Sequence, residues 1–108
     1  MATRRRVLVS GIGMVTPIGH DTPTTWNAVL QGKHGITSIS HLPEFEGVNC
    51  QVAGPLQGFD FDKHPTSFNS KIYSLAMAIS EQALRDADLD CHMLTEFEKR
   101  RTGIVIAN

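Results

Sequence analysis

An α/β fold is what the sequence predicts, on three observations. Val7-Leu8-Val9 and Ile104-Val105-Ile106 are short apolar runs, each bounded by glycine and too brief for a helix. Between them, residues 69–87 repeat apolar side chains at steps of three and four, the spacing of a helix with one dry face. Runs apolar on both faces read as central strands, which places the helix against a sheet.

The first run follows Arg4-Arg5-Arg6 and empties into Ser10-Gly11-Ile12-Gly13. A Gly-x-Gly after a buried strand is how a dinucleotide-binding loop begins, but Thr16 stands where a third small residue is needed. Pro17 and Gly19 would also fall in the first turns of the helix whose N-terminus must face the pyrophosphate. Gly11 and Gly13 are therefore read as sites of close packing or special backbone geometry, and no dinucleotide is expected here.

Asp21-Thr22-Pro23 supplies an N-cap and a first-turn proline for a short helix that stops at Gly32. Trp26, Val29 and Leu30 share one face of it, and Trp26 is read as a core anchor. From Lys33 to Pro65 the residues are too dispersed for a helix; Gln51 to Leu56 reads as a short strand that Pro55 confines to an edge or bulge.

The long helix is expected from about Asn69 to Ala87. Its stripe is Ile72, Leu75, Ala76, Ile79, Ala83 and Ala87, with Glu81, Gln82, Arg85 and Asp86 on the wet side. Thr95 to Glu98 has the pattern of a capping box for one more short helix before the second apolar run. Two or three short strands cannot cover so long a helix, so the chain reads as the first part of a larger layered fold.

With 108 residues, 41% of them hydrophobic, and a net charge of −1, the chain is long enough for one domain with a modest core and is expected to be soluble. The charge gives no reason for nucleic acid or an anionic membrane as partner, and no apolar run approaches the ~20 residues of a membrane span. The first twenty residues hold arginine and no acid, yet a strand starting at Val7 leaves no room for a removable peptide. Any targeting peptide is expected to be absent or already removed.

Cys50 and Cys91 sit in no C-x-x-C pattern and are expected as reduced thiols. His20, His34, His41, His64 and His92 lack the i, i+4 spacing of a helical metal pair, so no metal site is expected.

Several blocks together resemble one family. Arg5-Arg6-Val7 followed by Val9-Ser10-Gly11-Ile12-Gly13-Met14-Val15-Thr16-Pro17-Ile18-Gly19 looks like the opening of the β-ketoacyl-[acyl-carrier-protein] synthases, the elongating condensing enzymes of ketosynthase II type. Trp26 with Leu30-x-Gly32-Lys33-x-Gly35-Ile36, then Val52-Ala53-Gly54, Phe59-Asp60, Ala83-Leu84-x-Asp86-Ala87-x-Leu89 and Arg101-x-Gly103-Ile104-Val105-Ile106, follow in the family's order. The family usually ends its long helix with Asp-Ala-Gly-Leu; here Asp88 replaces the glycine.

The resemblance implies a thiolase-like layered fold, α/β/α around a mixed sheet, of which residues 1–108 are an incomplete N-terminal domain, a piece of the first half. It implies an acyltransferase of fatty acid biosynthesis that lengthens acyl chains by decarboxylating Claisen condensation with malonyl-carrier protein. It also implies no cofactor, an acyl carrier protein as partner, a homodimer when intact, and a cytoplasmic place in bacteria or a mitochondrial one in eukaryotes.

The family's mechanism uses a cysteine nucleophile and two histidines, and none of their motifs is present. Cys50 precedes a strand, and Cys91 follows a helix beside Asp86, Asp88 and Asp90, which disfavour a thiolate. No catalytic, cofactor-binding or metal residue is assigned, and the chain alone is expected to be inactive. The segment Lys63-His64-Pro65-Thr66-Ser67-Phe68, with Lys71 after it, is less basic than the carrier-docking segment of bacterial members. Two other readings share the opening: a segment of a polyketide ketosynthase, and a short non-catalytic interaction module derived from the family.

Overall fold

A computed structural model describes residues 4–64 and 70–107. Its elements, in order, are helix α1 (Thr22–Leu30), strand β1 (Thr37–Ser38), strand β2 (Val52–Ala53), helix α2 (Lys71–Asp86) and helix α3 (Glu96–Arg100). Three-residue 3-10 turns lie at Pro43–Phe45, Phe61–Lys63 and Cys91–Met93. β1 and β2 pair antiparallel, Thr37 opposite Ala53 and Ser38 opposite Val52, and the amide of Ile39 extends the ladder to the Gln51 carbonyl at 2.9 Å. The expected strand within 51–56 is β2, and Pro55 lies beyond its paired residues.

The helix ends form as their local chemistry dictates. Asp21 caps α1 by accepting from the Thr24 amide at 2.7 Å, with proline in the first turn. Gly32 ends it at φ +68°, while the amides of Gly32 and Lys33 reach back to the Val29 and Ala28 carbonyls. α2 starts from Ser70 and stops in the same motif: the amides of Asp88 and Leu89 donate to Arg85 and Leu84, with Asp88 at φ +52°. Thr95 and Glu98 make the expected capping box of α3. Asn69, the expected start of α2, lies outside the described residues.

The expected strands at Val7–Val9 and Ile104–Ile106 are not formed. Both runs are in water, Val7 88% and Val105 98% exposed. A strand is held by its neighbours, and among the described residues neither run has a hydrogen-bonded partner. The radius of gyration, 18.2 Å, exceeds the roughly 13 Å of a packed chain of this length. The buried apolar side chains among the described residues are few, Ala28, Ile39 and Ala78.

Trp26 is not a core anchor either. The indole is 60% exposed, and Val29 and Leu30 face water with it. α1 instead turns Thr25 and Ala28 inward, because the surface it meets is the narrow turn at Thr16–Gly19. The Thr25 hydroxyl donates to the Gly19 carbonyl at 3.1 Å and lies 3.1 Å from the Thr16 hydroxyl, which satisfies a buried polar group. On α2 the most buried side chains are Ser74 and Ala78, while Ile72 and Met77 remain exposed. The partners of α2 are loops that approach to backbone distance, so small side chains form the contact.

Candidate functional site

The glycine loop is seated directly on α2. A Cβ on Gly11 would lie 2.2 Å from the Ala83 carbonyl oxygen, and one on Gly13 would lie 2.2 Å from that of Ile79. Close packing is thus the reason for both glycines. Between and after them the amides of Ile12 and Met14 point at the helix: Ile12 donates to Oδ2 of Asp86 at 2.8 Å, and Met14 to Oε1 of Gln82 at 3.2 Å. Gln82 also donates from Nε2 to the His20 carbonyl at 2.7 Å, pinning both ends of the turn closed by the Thr16–Gly19 bridge.

These contacts bear on the phosphate question. A phosphate cradle needs free amides and a helix N-terminus aimed at the anion. Here two amides are taken by helix side chains, one of them a carboxylate, and α1 begins only at Thr22. At that N-terminus Asp21 is held below the ordinary carboxylate range, first by the Thr24 hydroxyl and then by the Thr24 amide.

A cleft of about 570 Å³ opens where the 58–64 loop crosses α2. His20 meets the Phe59 ring edge-on at 5.5 Å, Phe59 meets Phe61 at 4.9 Å, and the Lys71 ammonium sits 5.4 Å from the Phe61 centroid. His64 Nδ1 lies 3.5 Å from Glu81 Oε2, and the Ser74 hydroxyl donates to the His64 carbonyl at 2.9 Å, which holds the loop on the helix. Lys63 and Arg85 add positive charge to the lining, Asp21 and Asp60 negative charge. Among the described residues no thiol or hydroxyl lines this cleft. Its chemistry is that of a polar, mixed-charge surface.

Cys50 and Cys91 are exposed free thiols, and neither lines the cleft. Cys50 lies two residues before β2 and donates to the Val52 carbonyl at 3.4 Å; Cys91 opens the short turn capped by Asp90. His20 and His64 come to the cleft, whereas His34, His41 and His92 do not. Among the described residues no three His, Cys, Asp or Glu side chains are grouped to hold a metal ion. Of the segment that is less basic than the carrier-docking segment of bacterial members, Lys63, His64 and Lys71 can be placed beside the cleft and its aromatic wall; Pro65 to Phe68 lie outside the described residues.

Sequence reasoning put Gln82 and Asp86 on the wet side of α2 and missed them as clamps. Their signal is weak but real: they are i, i+4 neighbours flanking the small positions Ala83 and Ala87 that accept the glycine loop. Nothing in the spacing of His20, Phe59 and His64 announces that they meet.

Residues 4–108 match the β-ketoacyl synthase N-terminal domain. The chain is 30% identical over 98% of its length to 3-oxoacyl-[acyl-carrier-protein] synthase 2 of Vibrio cholerae and 30% identical over its full length to that of Staphylococcus aureus. It is 33% identical over 93% of its length to a Schizosaccharomyces pombe protein named as a mitochondrial 3-oxoacyl-[acyl-carrier-protein] synthase. The matches take in 26%, 26% and 25% of those relatives, so the chain spans about a quarter of their length. By the match of its residues 4–108, the chain belongs to the β-ketoacyl synthase family.

Proposed function

We propose that this chain is the N-terminal segment of a 3-oxoacyl-[acyl-carrier-protein] synthase. In the whole enzyme an acyl group held as a cysteine thioester is attacked by the carbanion left when malonyl-carrier protein loses carbon dioxide. The products are a 3-oxoacyl-carrier protein and the freed thiol. The observation that carries this reading is the family match over residues 4–108, with relatives of that name aligned along nearly the whole chain.

In that reading the chain contributes scaffold. Val7–Val9 and Ile104–Ile106 become central strands of the layered thiolase-like sheet, α2 packs across it, and residues 1–108 are an incomplete domain. The nucleophile and both histidines belong to later motifs, and the whole enzyme works as a homodimer served by acyl carrier protein, in the cytoplasm of a bacterium or the mitochondrion of a eukaryote. The exposure of Cys50 and Cys91, with Cys50 ahead of a strand and Cys91 in a three-residue turn rather than at the start of an α-helix, supports inactivity of the 108 residues by themselves.

The test has two parts. The transcript read beyond Asn108 is expected to continue into a T-A-C-S-like motif, and a stop codon there would favour the non-catalytic module. Purified 108-residue protein, given acyl- and malonyl-carrier protein, is expected to form no 3-oxoacyl product. Product that disappears with Cys50→Ala or Cys91→Ala would overturn the assignment of this chain as scaffold.

A further inference from the structure

We draw no further inference here: the strongest candidate, the exposed apolar surface formed by the Val7–Val9 and Ile104–Ile106 runs and the Trp26, Val29 and Leu30 side of α1, carries nothing because no feature of the structure shows what covers it.

Discussion

The backbone amide of Ile12 donates to Oδ2 of Asp86 at 2.8 Å across 74 residues of sequence. With Gln82 one turn earlier on α2, this bond ties the glycine loop to the helix. The Gln82 amide serves two partners, Met14 and His20, in a part-buried setting, whereas Asp86 serves one exposed amide.

Gln82→Ala is therefore expected to destabilise the chain more than Asp86→Ala. Leaving part-buried backbone groups unpaired costs about 1–3 kcal/mol each, whereas the exposed Ile12 amide freed by Asp86→Ala is taken up by water. Urea unfolding followed by far-ultraviolet circular dichroism measures both. Equal midpoints, or a larger loss at Asp86, would show that Gln82 does not fasten the loop.

Gly13→Ala drives a methyl group against the Ile79 carbonyl oxygen and the Ala83 amide nitrogen, both backbone atoms of a helix that cannot yield locally. Overpacking of this kind costs about 1–3 kcal/mol. The loop is expected to lift, so the Met14 amide should lose its protection from hydrogen exchange. Gly103→Ala, which meets nothing within 4 Å, is the matched control and should leave exchange unchanged.

α1 and α2 end in the same hydrogen-bonded motif, with Gly32 at φ +68° in one and Asp88 at φ +52° in the other. A non-glycine residue in the left-handed region costs about 1 kcal/mol. Asp88→Gly is thus expected to stabilise α2 by up to about that amount, and Gly32→Asp to weaken the end of α1. A fall in helicity on Asp88→Gly would contradict the shared geometry.

Acid is expected to release the helix caps. Glu98 is held below the ordinary glutamate range by the Thr95 hydroxyl first and the Thr95 amide second, and Asp21 is lowered in the same manner by Thr24. Because both values are depressed in the folded chain, the stabilisation is present above the ordinary carboxylate range. It is lost as pH falls through the lowered values. Nuclear magnetic resonance titration of the Glu98 carboxyl should give a value below that of the same group in the Thr95→Ala variant. Identical titration curves would remove the cap as the cause.

What was legible in the sequence is what a few adjacent residues decide. Asp21 with Pro23, Gly32 as a stop, Thr95 with Glu98, and Asp88 in a glycine position all follow from chemistry that closes within about one helical turn. The glycines at 11 and 13 were legible as close approaches but not what they approach, because Ala83 and Ile79 lie about 70 residues away. The runs at Val7 and Ile104 have the composition of strands, yet a strand also needs a neighbour, which is a property of the surroundings. Trp26 failed for a related reason. Its helix has an apolar face, but the surface α1 meets is a tight turn that admits Thr25 and Ala28. Gln82 and Asp86 were hidden because a polar side chain on a helix looks the same whether it meets water or a distant amide.

The seat of the glycine loop also sets a timetable. A ribosome adds about 5–20 residues per second, so the 74 positions separating Ile12 from Asp86 take roughly 4 to 15 s to translate. Throughout that interval the glycine loop is already made while the helix that seats it is not. The nascent chain thus carries its loop unseated for seconds, with the Ile12 and Met14 amides open to water until residues 82 and 86 are made.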